Sequence, residues 1–449
     1  MNPVKAIKSQ LYLLQLENYD LLRFFRLMWT TRGGFRLPKP RKRITWTPKL
    51  SVVFFISGLL AAGSAVFPAL ALGAYKFWFL LFFLWLWLWI YFLFIVLAVV
   101  LLWPADFLLK QIIIGRAKRK IQKFPELTII GITGSYGKTT MKEILATVLK
   151  QKFLVLKTPE NINTPLGLAR LILDKLQPDI QVLVVEMGAY KRGDIQALCE
   201  LARPRIAILT GINEAHLERF RSLENTIAAK FEILENSAAD GLVFLNQDDE
   251  RVTANYQKFA SGKKIKFYSS RDGRERQLPL LGDYARGIVS AAVMVAQELG
   301  LSDEQINGGV AEIQPIPHRL QLIQNRNGIT IIDDSYNANP DGAREAIKVL
   351  GRFAGRRKIY VTPGLVEMGE RSVAIHREIG KLLAQSADLV VLIKNSATPS
   401  IAEGLRAAGY PADRIKWYDE AQSAYAAVPH ILKAGDVVLF QNDWPDNYR

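Results

Sequence analysis

Residues 127–140 read Leu-Thr-Ile-Ile-Gly-Ile-Thr-Gly-Ser-Tyr-Gly-Lys-Thr-Thr. The first seven form a short β-branched apolar run, the composition of a buried strand, and Lys138 to Lys150 carries a helical pattern. Between them lies the turn Gly134-Ser135-Tyr136-Gly137-Lys138-Thr139-Thr140. Its glycines let backbone amides close around phosphate oxygens, and the helix N-terminus adds its dipole. Lys138 can reach the terminal phosphates of a nucleotide, and Thr139 can hold Mg²⁺. The motif is looser than a strict phosphate loop, because five residues separate Gly131 from Gly137 where the strict form has four. A strand, a phosphate turn and a helix in this order predict an α/β fold.

Further along, Gln181 to Met187, Arg205 to Thr210 and Leu242 to Leu245 are apolar runs separated by helical stretches. This alternation predicts a parallel sheet with helices on both faces, and ligands then bind at the carboxyl ends of the strands. Lys138, Glu186 and His216 all fall at or just after such ends. Taken singly, Glu186 could cap a helix and His216 could be a satisfied loop histidine; a shared sheet edge favours a common site. After Gln314-Pro-Ile-Pro317, four more strand-like runs (329–332, 358–362, 389–393 and 436–440) predict a second α/β unit. It opens on the polar turn Asp333-Asp334-Ser335-Tyr336-Asn337-Ala338-Asn339-Pro340.

Upstream the chain is of another kind. Its 58 basic and 42 acidic residues give +16, and residues 1–123 hold 18 of the basic side chains and only 3 of the acidic ones. The remaining body is nearly neutral, which argues against a nucleic-acid-binding surface there. No charge falls between Leu50 and Tyr75, or between Phe77 and Ala105. Each run exceeds the ~20 apolar residues that cross a bilayer, so transmembrane helices are expected at about 50–74 and 77–103. The small residues Gly58, Ala61, Ala62, Gly63 and Ser64 on the first allow close packing against the second. Lys and Arg flank both ends, from Arg41 to Lys49 and from Lys110 to Lys123, which places both flanks and the soluble body in the cytoplasm. The expected localisation is the inner, cytoplasmic membrane, in a multi-pass arrangement. About residues 9–30 an amphipathic helix is expected at the interface. The single cysteine, Cys199, excludes an intramolecular disulfide and reads as core.

Seven segments together resemble the Mur ligases, ATP-dependent amide-forming enzymes of cell-wall peptide assembly: GITGSYGKTTMKE (131–143), TPENINTPLG (158–167), VVEMGAYKRGDI (184–195), HLERFRSLENTIAAKFEI (216–233), HRL (318–320), DDSYNANP (333–340) and VEMGERSVAIH (366–376). Within the family they are most similar to the D-alanyl-D-alanine-adding type. Beyond the membrane region expected at 1–123, the resemblance implies a central ATP-binding domain at 124–317 and a Rossmann-like C-terminal domain at 318–449. It implies ATP and Mg²⁺ as cofactors, a cell-wall precursor peptide as one substrate and an amine such as D-alanyl-D-alanine as the other; the membrane region in place of the UDP-binding domain would let that peptide be lipid-linked. It places the nucleotide on Gly134 to Thr140 and Mg²⁺ on Thr139 and Glu186. His216 falls at a second Mg²⁺, Lys230 at a lysine that family members can carry as a carbamate, and Arg319 near the ATP phosphates. Asp334, Asn337 and Asn339 lie where the family contacts adenosine and the hinge, while His318 and His430 receive no role.

Three departures accompany the likeness. The family's UDP-gripping N-terminal domain has no counterpart, and the apolar region stands in its place. A His-Asn-x-x-x-Asn segment reads here as Asp283-Tyr284-Ala285-Arg286-Gly287-Ile288, and a Lys-Gly-Ser-Arg segment as Gln441-Asn442-Asp443-Trp444. The expectation is a membrane-anchored ligase extending a cell-wall stem peptide through an acyl phosphate. A poly-γ-glutamate synthase-like ligase and a nonenzymatic nucleotide-sensing scaffold are the alternatives.

Overall fold

The computed structural model describes residues 3–30, 44–71, 76–160, 162–260, 262–272, 278–324, 327–336 and 338–442. The chain divides into two compact units, one ending at Ile112 and one beginning at Ile113.

The first unit is helical: α1 (Pro3–Leu16), α2 (Leu21–Thr30), α3 (Pro48–Ala71) and the greater part of α4 (Lys76–Ile121). The single helix expected at about 9–30 is thus two. Asn18 and Tyr19 both adopt positive φ, which no helix accommodates. Asp20 then restarts the chain by accepting hydrogen bonds from the amides of Leu22 and Arg23, each at 3.1 Å. The helices α3 and α4 pack side by side and antiparallel: Lys49 pairs with Asp106 at 3.0 Å, and the Ser57 and Tyr91 hydroxyls meet at 3.0 Å. Ala61 is buried in the same cluster as Phe92, Ile95 and Ala98, so the small residues of α3 do admit bulkier neighbours.

The second long helix was expected to end near residue 103, yet α4 continues through Pro104 to Ile121. Residues 105–121 are mostly good helix formers, and Lys118, Arg119 and Lys120 in the last turn suit the dipole. The change from apolar to charged marks where the apolar surface stops, not where the helix does. From Ile113 on, α4 belongs to the second unit, where Ala117 is buried and Ile113, Ile114 and Ile121 pack on the core.

The second unit holds two six-stranded sheets. The first is built from β1 (Thr128–Thr133), β2 (Val155–Lys157), β3 (Val182–Glu186), β4 (Ile206–Leu209), β5 (Leu242–Asn246) and β6 (Lys264–Tyr268), in the order β2-β3-β1-β4-β5-β6. All its pairings are parallel. The second comprises β7 (Gln321–Gln324), β8 (Thr330–Asp334), β9 (Lys358–Thr362), β10 (Leu389–Ile393), β11 (Ile415–Tyr418) and β12 (Val437–Gln441), in the order β11-β10-β9-β12-β8-β7. It is parallel except for β7, which runs antiparallel to β8.

Helices cover both faces of the first sheet. In β1, Ile130 and Ile132 enter one core and Ile129 the other, so the strand has no solvent face and its apolar run is unbroken. The helices of this half include α5 (Lys138–Leu149), α6 (Pro165–Lys175), α7 (Asp194–Ala202), α8 (Leu217–Phe220) and α9 (Leu223–Asn236). Cys199 on α7 is fully buried with its Sγ 3.8 Å from Met187 Sδ, and burial pushes its thiol up to about 12. It is core, as expected. Strand β1 lies between β3 and β4, so the chain leaves its two neighbours in opposite directions, and a crevice opens at their carboxyl ends.

Candidate active site

The turn after β1 depends on two glycines. At Gly134 φ is +153°, and a Cβ would lie 2.0 Å from Thr210 Oγ1. At Gly137 φ is +73°, and this residue begins α5. Both conformations suit glycine and resist other residues. The Ser135 amide donates to Gly211 O at 2.7 Å, and the Tyr136 hydroxyl donates to Asp249 Oδ2 at 2.8 Å. The Tyr136 ring covers Gly211 so closely that a Cβ there would overlap it. Thr140 is buried behind the turn, and Lys138 folds back to donate from Nζ to Gly134 O at 2.7 Å.

One cavity gathers the functional groups: Ser135, Lys138, Thr139, Glu186, His216, Lys230 and Arg319 all line it. Glu186 ends β3, and its Oε2 accepts from Thr139 Oγ1 at 3.0 Å. Arg319 reaches the same hydroxyl at 3.4 Å and stacks over the Tyr336 ring at 4.6 Å. Lys230 comes from α9, whose N-cap Ser222 accepts from the Asn225 amide, a contact worth ~1 kcal/mol. His216 precedes α8 in the left-handed region, with φ 60°. Its Nδ1 bonds Glu367 Oε2, and the Tyr190 ring meets it edge-on at 5.1 Å.

The electrostatics are those of a site built for an anion. Burial lowers the pKa of Lys138, Glu186 opposes that shift, and Arg319 adds to it. Burial holds Lys230 well below the usual lysine range, with Lys138 the next cause. Burial likewise lowers His216, against the opposing pull of Glu367. Cations desolvated beside one another favour a ligand that brings negative charge. A nucleotide triphosphate meets that requirement. Mg²⁺ fits as well: Thr139 Oγ1 and Glu186 are hard oxygen donors at one edge, and Mg²⁺ commonly takes one or two protein oxygens plus phosphate and water.

Of the remaining expected residues, Asp334 is half-buried, with its carboxylate accepting from the Leu320 amide and Gln441 Nε2, and desolvation raises it to about 6. Asn339 caps the helix Pro340–Gly351 through the Gly342 amide and also accepts from Asn213 Nδ2 at 2.8 Å. Asn337 lies outside the described residues. His318 was given no role, yet it lines the central cavity and bonds Asp333 at 2.8 Å. His376 is fully buried and packs on its helix, with Nε2 accepting from the Leu365 amide.

Three of the departure residues, Asp283, Gln441 and Asn442, serve as links. Asp283 accepts from Lys348 and Arg352, Gln441 from Tyr360, and Asn442 donates to Gly364 O at 2.6 Å. Sequence reasoning missed Lys142, a fully buried lysine whose Nζ is 3.3 Å from Glu186 Oε2. Its position one helical turn beyond Lys138 was the available signal. Glu367 was missed too, although it sits inside a quoted segment; nothing in the sequence joins it to His216.

Residues 132–283 match the Mur ligase middle domain and residues 318–441 the Mur ligase glutamate ligase domain. The UDP-N-acetylmuramoyl-tripeptide–D-alanyl-D-alanine ligase of Synechocystis is 30% identical over 331 residues, 70% of this chain and 71% of that one. The ligase of the same name from Bacillus subtilis is 28% identical over 332 residues, covering 70% of this chain and 72% of its own. Among solved structures, a MurF ligase from Thermotoga maritima in complex with ADP aligns with a TM-score of 0.65 at 27% identity, over 74% of this chain and 80% of that one.

Proposed function

The chain belongs to the Mur ligase family, and from that premise we propose that it is an ATP-dependent peptide ligase of peptidoglycan synthesis, of the D-alanyl-D-alanine-adding type. The observation that carries the reading is the single cavity in which Lys138, Thr139, Glu186, His216, Lys230 and Arg319 converge. The substrates proposed are those in the names of its relatives, a muramoyl tripeptide and D-alanyl-D-alanine.

In the proposed reaction a carboxylate oxygen of the tripeptide attacks the γ-phosphorus, the bond to ADP breaks, and an acyl phosphate forms. The amine of D-alanyl-D-alanine then attacks the acyl carbon, phosphate leaves, and the amine gives up a proton. The loop amides of residues 134–139 bind the phosphates, and Lys138 turns from Gly134 O to the transferring group, where a fixed cation lowers the barrier. Arg319 approaches the same edge from the C-terminal half, and its stacking on Tyr336 holds the guanidinium plane. Mg²⁺, held at Thr139 and Glu186 with His216 and Lys230 nearby, would supply charge neutralisation of the phosphates.

Residues 1–123 are proposed as an anchor in the cytoplasmic membrane, with the body on the cytoplasmic side. Supporting this, α4 is long and apolar enough to cross a bilayer over Ile90–Ile121 by length and composition. It exposes Leu93, Leu97, Val100 and Leu101. Its antiparallel neighbour α3 and the basic flanks on both sides fit a hairpin with cytoplasmic ends. A cysteine introduced at Asn2 or Asn447 is expected to resist a membrane-impermeant thiol reagent on intact cells and to react after permeabilisation. Labelling of intact cells at either position overturns the hairpin.

Confinement to the bilayer raises the effective concentration of a lipid-linked substrate without any new contact. Full-length protein in lipid nanodiscs, given ATP, Mg²⁺ and D-alanyl-D-alanine, is therefore expected to release ADP with higher kcat/KM for tripeptide on a lipid carrier than on UDP. If no tripeptide supports ADP release, the ligase reading fails. Equal values on the two carriers remove only the concentrating role of the anchor.

A further inference from the structure

The loop between β4 and α9 carries His216, and the C-terminal half of the catalytic unit grips this loop at several points. Asn213 Nδ2 donates to Asn339 Oδ1 and to Asp341 Oδ2, each at 2.8 Å. Glu214 pairs with Arg371 at 2.8 Å, and the Glu218 amide donates to Glu367 O at 3.1 Å. At the centre stands the Glu367 carboxylate, which is buried and forks two ways: Oε1 accepts from Arg219 Nε at 2.5 Å and Oε2 faces His216 Nδ1. Arg219 is itself held over the Tyr190 ring at 4.5 Å. Both His216 and Glu367 sit in the left-handed backbone region, with φ 60° and 62°. Non-glycine residues adopt that conformation at a cost and persist there only when their surroundings hold them.

We infer that Glu367 is a positioning residue that sets the orientation and tautomer of His216, so that the metal edge of the site is complete only when the two halves of the catalytic unit are closed on each other. An ionised carboxylate can only accept hydrogen bonds. The neutral imidazole facing it therefore carries its proton on Nδ1 and presents Nε2 as the lone-pair nitrogen. His216 lines the same cavity as Thr139, Glu186 and Lys230, and Nε2 is the nitrogen that Glu367 leaves free for the proposed metal edge. When the halves separate, Glu367 withdraws and the imidazole loses the partner that fixes it. ATP arriving before closure then meets an unfinished metal edge. The inference rests on the proposed ligase reading and goes beyond it by making a residue of the C-terminal half part of the metal site.

Glu367→Gln separates positioning from simple clasping. The amide retains an oxygen to accept from Arg219 and keeps the side-chain volume, but its NH₂ group donates to Nδ1 and drives the proton to Nε2. The metal-facing lone pair is lost while the contact survives. Binding of Mn²⁺, followed by its electron paramagnetic resonance signal on the full-length protein with a nonhydrolysable ATP analogue, reads the site without catalysis. Glu367→Gln and Glu367→Ala are both expected to weaken Mn²⁺ binding ~10- to 100-fold, the usual effect of removing a partner that orients a metal-binding histidine. In a His216→Ala background neither is expected to weaken it further. Unchanged Mn²⁺ affinity in Glu367→Gln, or additive losses in the double variants, would overturn the positioning role. If His216→Ala itself leaves Mn²⁺ binding unchanged, the placement of His216 at the metal fails, and the inference falls with it.

Discussion

Lys138→Ala is expected to lower amide product formation by ~10² or more, because a preorganised cation at the transferring phosphate contributes ~3 kcal/mol or more to lowering the barrier. The loss should fall mainly in kcat. Nucleotide affinity also draws on the backbone amides of residues 134–139 and on the dipole of α5, which the substitution leaves in place. The folded loop offers little compensation, since in the free enzyme Lys138 only closes back on Gly134 O. Steady-state ADP release with both substrates, beside binding of a nonhydrolysable analogue, separates the two contributions. Wild-type rates in the variant would remove Lys138 from the mechanism.

Lys230→Ala and Lys230→Arg should each cost a comparable ~10²-fold, and the failure of arginine to substitute is the informative part. Burial and the nearby Lys138 hold Lys230 well below the ordinary lysine range, which favours the neutral amine that attacks CO₂. A carbamate formed there would replace a buried amine by an oxygen-bearing anion suited to a hard metal. Wild-type enzyme depleted of CO₂ and bicarbonate is expected to lose activity and regain it on their return. Neither variant should respond. A wild-type rate indifferent to CO₂ would leave Lys230 as a plain amine.

The same depression has a sign in stability. The unfolded chain holds this proton more tightly than the folded, unmodified lysine does, so between the lowered folded value and the unfolded value of ~10.4 the stability of the uncarbamylated protein rises with pH.

The interior of the fold was legible in the sequence for a definite reason. Strands buried on both faces, such as β1, β3, β4 and β10, have no alternation to disguise them, and each stands out as a continuous apolar run. The four strands not anticipated, β2, β6, β7 and β11, are the edge strands of the two sheets. Their residues are mostly half-buried or exposed, so their apolar signal is diluted. The break between α1 and α2 was hidden because it needs Asn18 and Tyr19 to leave helical φ, and Tyr19 gives no such cue.

In the site, the phosphate loop was legible because its chemistry is local: glycine, lysine and threonine act within one turn. The clasp on His216 was not, because Glu367 is 151 residues away and meets it only after two sheets have folded. Lys142 falls between these cases, on a helix already recognised but pointing at Glu186 from the side.

The burial of Cys199 has a practical side. Burial pushes its thiol up to about 12, and alkylating reagents attack the thiolate. In the folded protein this buried thiol is expected to react slowly with maleimides and iodoacetamides. A cysteine engineered at any exposed position becomes a unique attachment point for a spin label, a fluorophore or a crosslinker. Pairs of such positions on the two halves of the catalytic unit would give distance changes on nucleotide binding without any background substitution at residue 199.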